Sequence, residues 1–247
     1  MNLLAFDTST EHLSIAVSRA VEGRVQVWTH SGPGGAQASA TLIPAIRALL
    51  AEAGLTLRAL DAIAFGAGPG SFTGLRTACA VAQGLGYGAG VPLLPVDTLL
   101  AVAEAARDGR ATPAAPTAPL NVVAVLDARM DEVYTARYAW NGATWTQPGS
   151  WDVCKPEVLA EGAPAGSGWV VAGNAFAAYG ERLLPGWPRV EALPTAAAML
   201  RLAPALLAAG QAVSADQALP RYIRDKVAKT TEERAAEKAA AAALPAA

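Results

Sequence analysis

Cysteine and histidine are scarce in this chain: Cys79 and Cys154, His12 and His30, and no others in 247 residues. Two distant cysteines make neither a disulfide framework nor a zinc site, neither looks like a nucleophile, and such usage points to a reducing compartment. The two histidines lack the spacing that closes two imidazoles on one metal, so histidine-based metal catalysis has nothing to stand on. Positive charge is also short. Nineteen Lys and Arg against 21 Asp and Glu give a formal net charge of −2, which argues against the chain gripping nucleic acid alone, although a partner could bring it near RNA. No basic segment leads into an apolar stretch at the start, "MNLLAFDTST", so a signal peptide is not expected and the cytoplasm is. The longest uncharged stretch, Thr77 to Val96, is broken by Gly84, Gly86, Gly88, Gly90, Pro92 and Pro95. It reads as a buried helix, a loop and a strand rather than a membrane span.

What is abundant is apolar surface, 53% of residues, enough for one large core or two small ones. "LLAFDTS", "LSIAVSRA" and "RVQVWTHS" predict three short strands. A helix from about Ala38 to Ala53 follows, then the strand "AIAF", a helix opened by a glycine loop, the strand "LLPV" and a helix beginning near Thr98. After the proline-rich "RDGRATPAAPTAPL" the order begins again, with "NVVAVLDA", "EVYTARYAW" and "ATWTQPGSW" as strands, then "WVVAG" and a helix around Ala196 to Leu207. The chain thus reads as an α/β duplication: a lobe over 1–108, a linker over 109–120, a second lobe over 121–229 and a low-complexity tail over 230–247. Its two leading hairpins align by chemistry, with Asp7 and Asp127 in equivalent places at strand ends.

"GAGPGSFTGLR", Gly66 to Arg76, looks built to hold a phosphate, since a strand, a glycine loop and a helix N-terminus present free N–H groups to anions. The dinucleotide pattern fails because Ser71 or Thr73 stands where its last glycine belongs, and the P-loop fails because Leu75 and Arg76 follow Gly74. A tight turn that lets a helix pack closely is the other reading. On that helix Leu75, Ala78, Ala82 and Leu85 make one face, while Arg76, Ala80, Gln83 and Tyr87 make a mixed face that suits an interface. The preceding helix spreads Leu42, Ile43, Ala45, Ile46, Leu49, Leu50 and Ala53 more widely than one core contact needs, so it is covered on two sides by its own domain or by a partner. Asp7 with Thr8 and Ser9 is either a strand-end Asx-turn or a nucleotide site. Asp127, Asp131 and Glu132 are either solvated turn residues or an acid pair. Arg221, Arg224, Lys226 and Lys229 are either a solvated tail or an edge contact to tRNA.

A strand ending in aspartate, a hydroxyl-rich turn and a returning strand, repeated in a second half, resembles the actin, Hsp70 and sugar-kinase superfamily with its ribonuclease H-like fold. "FDTST" looks like its first phosphate loop, in which Asp7 would hold a hydrated Mg²⁺ while Thr8 and Ser9 face the phosphates. At the second hairpin, where that superfamily wants a small residue, stand Arg129 and Met130. Together "LLAFDTST", "GAGPGSFTGLR", "LDARMDEVY" and "LPRYIRDKVA" resemble the bacterial TsaB (YeaZ) family up to the tail. The resemblance implies a non-catalytic subunit, without cofactor or metal, that pairs with a catalytic paralogue, TsaD, and the ATPase TsaE. That system places a threonylcarbamoyl group on N6 of adenosine 37 in tRNAs reading ANN codons, with tRNA reached only through the complex. TsaD-like chains carry a His-x-x-x-His on the first helix, where this sequence has "AQASATLIPAI". The implied partner surface comprises Leu42, Ile46, Leu49, Gly70, Ser71, Phe72, Gly74, Arg76, Ala80, Gln83 and Tyr87, which also serves a homodimer when the paralogue is absent. Asp7, Thr8, Ser9 and Asp127 would be a vestigial nucleotide site. The alternative is an ATP-using phosphotransferase or ATPase of the same superfamily built on Asp7 and Asp127.

Overall fold

A computed structural model describes residues 1–110, 117–146, 149–161 and 168–224. Its first sheet centres on β1 (Leu3–Asp7), a run of five buried residues. β1 pairs antiparallel with β2 (His12–Val21), which pairs with β3 (Arg24–Pro33) at the edge. On its other side β1 runs parallel to β4 (Ala62–Gly68), and β4 to β5 (Leu93–Asp97). The two-residue period of β1 splits its side chains between two cores. Leu4 and Phe6 pack with α1 (Ala38–Glu52) and α2 (Phe72–Ala89), whereas Leu3 and Ala5 face the molecular centre.

α3 (Thr98–Arg110) follows β5 directly and leads into the second sheet, whose centre is β6 (Leu120–Arg129). Its neighbours are β7 (Glu132–Trp140), antiparallel, then β8 (Asp152–Cys154); beyond α4 (Val158–Glu161) come β9 (Trp169–Gly173), parallel to β6, then α5 (Phe176–Tyr179) and the edge strand β10 (Arg189–Glu191). The orders β3-β2-β1-β4-β5 and β8-β7-β6-β9-β10 are the same order twice. The expected duplicated α/β fold is present; α3 and α6 match at 13 residues each, whereas α5 has four residues where α2 has 18. One expected strand is corrected. The described residues of "ATWTQPGSW" do not form the third strand, because Asn141 Oδ1 accepts from the N–H groups of Ala143 and Thr144 and turns the chain, leaving Trp145 only an isolated bridge to Trp140.

α6 (Ala196–Ala208) and α3 lie between the two sheets and supply nearly half of the shared core, including Leu99, Val102, Met199 and Ala203. α6, from the second half, packs mainly on the first sheet and α3, from the first half, mainly on the second. Glu104 of α3, almost fully buried, accepts from Arg107, from Arg201 of α6 at 2.8 Å and from Trp145 Nε1 at 3.0 Å. Burial alone would raise its pKa, but these donors outweigh it and hold the carboxyl below its ordinary value. Among the described residues no helix is long and apolar enough to cross a membrane: Thr77 to Val96 divides between α2, a turn and β5. Residues 111–116 of the expected linker and the expected tail over 230–247 lie outside the described residues.

Candidate functional site

The first hairpin and the glycine loop close on each other. Asp7, Thr8 and Ser9 are all buried. Asp7 Oδ1 accepts from Ser9 N at 2.9 Å and Ser9 Oγ at 2.7 Å, an Asx-turn, while Thr8 Oγ1 donates to the Gly74 carbonyl at 2.7 Å. Ser71 caps α2, its Oγ accepting from Gly74 N, and Ser71 N donates to Ser9 O at 2.7 Å. The glycines permit this contact. A Cβ on Gly70 would stand 2.6 Å from Ser9 Cβ, and one on Gly74 would collide with the Thr8 carbonyl. Here the glycine loop packs a helix start against a hairpin turn; the hydroxyls that a phosphate would need are already bonded within the chain. Asp7 Oδ2 has no hydrogen-bond partner, and burial pushes the Asp7 carboxyl up to about 7 against the two Ser9 hydrogen bonds.

The second hairpin is bulky where the first is tight. Arg129, Met130 and Asp131 all have φ near +60° (59°, 57° and 61°), an uncommon conformation for such side chains. Asp127 Oδ1 accepts from Arg129 N and from Tyr179 Oη, each at 2.8 Å, and Asp127 N donates to Asn174. Burial, reinforced by Asp127, pushes the Tyr179 phenol up to about 12. The Arg129 guanidinium pairs with Asp127 at 3.1 Å and reaches across to Glu11 of the first hairpin. Asp131 and Glu132 form no acid pair, since they bind Arg182 and Arg224 respectively. Between the hairpins lies a cleft of about 320 Å³, bordered by Ser71, Phe72, Asp127, Arg129, Arg221 and Tyr222.

The expected partner residues divide. Leu42, Ile46 and Leu49 are buried in the core that α1 makes with the first sheet, so their assignment to a partner surface is corrected, while Ile43 of the same apolar spread stays exposed. Gly70 and Gly74 face the first hairpin. Ser71, Arg76, Ala80 and Tyr87 are exposed, and Phe72 and Gln83 are half-buried. Leu75, Ala78 and Ala82 are buried on the opposite face, as the helical spacing required. The sequence reading missed what covers Gln83: residues 218–224 run past α2 and across the cleft. Ala218 O accepts from Gln83 Nε2 at 2.8 Å and Cys79 Sγ at 3.3 Å, Arg221 N donates to Ala67 O at 2.6 Å, and Tyr222 Oη accepts from Arg76 Nε at 3.1 Å. Arg221 stacks over Trp151 and Arg224 pairs with Glu132, so neither belongs to a free basic patch; Lys226 and Lys229 lie outside the described residues. The one available signal was the alternation of basic and aromatic residues in "LPRYIR", in a stretch with neither helix nor strand period.

Comparison with known proteins gives concordant results. The family model described as TsaD, tRNA N6-adenosine threonylcarbamoyltransferase, matches residues 29–245. The tRNA threonylcarbamoyladenosine biosynthesis protein TsaB of Escherichia coli K12 is 34% identical, covering 92% of this chain and 96% of that protein, and its namesake from Haemophilus influenzae is 36% identical with 92% and 95% covered. The solved YeaZ from Pseudomonas aeruginosa superposes with a TM-score of 0.77 at 40% identity, over 90% of this chain and 99% of that one. Similarity of this size covers about nine-tenths of the chain in sequence and in fold alike, and the chain belongs to the TsaB (YeaZ) family.

Proposed function

We propose that this chain is a scaffold subunit without a catalytic centre of its own in the formation of N6-threonylcarbamoyladenosine at position 37 of tRNAs reading ANN codons. It pairs through the exposed face of α2 with a TsaD-like catalytic paralogue, works with a TsaE-like ATPase, and meets tRNA only through the assembly. One observation supports the non-catalytic part most directly. Where an ATP-using relative of this fold would need free phosphate contacts, Thr8 and Ser9 bond to Gly74 and Asp7, and Arg129 fills the second hairpin while holding Asp127 and Glu11. A phosphotransferase would require Asp7 to reach the cleft, but its side chain is sealed beneath the glycine loop.

In the absence of the paralogue the same face accepts a second copy around a two-fold axis. Reconstitution tests the reading: the chain alone should turn over no ATP and modify no tRNA, whereas adding the TsaD-like and TsaE-like proteins should give threonylcarbamoylated tRNA. ATP turnover by the isolated chain that disappears in Asp127→Asn would refute it. Sedimentation at tens of micromolar should show a dimer of the isolated chain that the paralogue dissolves.

A further inference from the structure

Along the outer face of α2, Arg76, Ala80, Gln83 and Tyr87 succeed one another at helical spacing. Two of the four are occupied. Ala218 is bonded to Gln83 and Tyr222 to Arg76, so residues 218–222 run beside the row in the direction opposite to the helix. The backbone of this segment is fixed firmly, with Ala218 fully buried, Arg221 N on the Ala67 carbonyl, and Arg221 O lying where any Cβ on Gly68 would have to be. It turns Leu219 and Tyr222 outward, with Arg221 between them stacked over Trp151. Leu219 is 66% exposed and Tyr222 45%, and on α2 itself Tyr87 is 86% exposed, three of the few large apolar side chains exposed among the described residues. The only charge in the row is Arg76, whose described partners are neutral, the Tyr222 hydroxyl and the Phe72 ring 3.8 Å from its guanidinium carbon.

We infer that the partner surface is a composite of α2 with the 218–222 segment, and that it takes an apolar face of the paralogous subunit carrying a carboxylate opposite Arg76. This rests on the pairing proposed above and specifies its chemistry. The exposed side chains of Tyr87, Leu219 and Tyr222 offer anchors of the kind that dominate interfaces once desolvated. An arginine held by neutral groups at the N-terminal end of this face selects an acidic counterpart, and its fixed guanidinium keeps the ordering cost of that pair low.

The test titrates the TsaD-like paralogue against the parent chain, Ala80→Glu, Leu219→Asp, Leu219→Gln and Arg76→Gln, at low and high salt, with a denaturant midpoint for each. Leu219→Asp should weaken association by about tenfold or more, roughly 1.4 kcal/mol or above, with the midpoint unchanged because the side chain is exposed in the free chain; Leu219→Gln should weaken it less. Parent binding should weaken as salt rises, whereas the Arg76→Gln variant should lose most of that dependence. If Ala80→Glu abolishes binding and both Leu219 variants bind like the parent, the composite surface is refuted and α2 alone is the partner face. If Ala80→Glu and the Leu219 variants all bind like the parent, the pairing through α2 falls as well. An Arg76→Gln variant with the parent's salt dependence refutes the acidic counterpart.

Discussion

Replacing Asp7 with asparagine should make the chain more stable at pH 8 and leave it nearly unchanged at pH 4. Asp7 is buried, one of its oxygens has no partner, and its folded-state pKa is raised from 3.8 to about 7 by desolvation. A carboxyl whose pKa is raised on folding favours the fold when protonated: the stabilisation is complete below 3.8, is lost progressively as pH rises, and is gone above about 7. Each factor of ten in proton affinity is worth about 1.36 kcal/mol, so ionising Asp7 in place costs on the order of 4 kcal/mol at pH 8. Asparagine keeps an acceptor for Ser9 N and Ser9 Oγ and places an unpartnered donor where the protonated acid has one. The two chains should therefore match within about 1 kcal/mol at pH 4. The assay is urea unfolding of both from pH 4 to pH 8, taking the difference at each pH so that groups titrating elsewhere cancel. A difference that stays constant across this range would refute the assignment of a sealed, neutral Asp7, and with it the argument that this side chain is unavailable to a metal–nucleotide.

Gly74→Ala drives a Cβ into the Thr8 carbonyl; it should lower stability by about 3 kcal/mol in urea unfolding, as overpacking against backbone does. Glu104→Ala leaves Arg107 and Arg201 without their shared carboxylate between the sheets and should cost about 3 kcal/mol, read from the thermal midpoint. Leu75→Glu puts a charge into the α2 core contact and should unfold the chain or lower its stability by at least about 3 kcal/mol. Ala80→Glu, on the exposed face, should change stability by no more than about 0.5 kcal/mol while weakening partner binding roughly a hundredfold. Equal losses of stability in these two variants would show that both faces of α2 are internal.

Much of the architecture was legible because its signals are local. The period of two in "LLAFD" and "VVAVLD", the turn residues after them and the recurrence of strand, turn and strand define both hairpins from their own residues, and the structure repeats the strand order faithfully. The two faces of α2 followed from a 3.6-residue period, with Leu75 and Ala78 buried and Ala80 exposed. The glycine loop was half legible: its spacing ruled out two phosphate motifs, but only the approach of Gly74 to Thr8, 66 residues away, assigned it to packing. The width of α1's apolar surface was visible, and what covers it was not, since a buried leucine reads the same against a sheet or a partner.

The sequence by itself determined most of the strands, the duplication, the paired aspartates and the family, because each is carried by residue type and short-range period. Only the tertiary structure decided that α3 and α6 pass between the sheets, that Arg129 closes on Asp127 and Glu11, and that Tyr222 comes to rest on Arg76, 146 residues earlier. Contacts of that range have no period to betray them. They are chosen by which buried surfaces and unpaired polar groups remain once every local element has formed, and that choice is made by the whole chain at once.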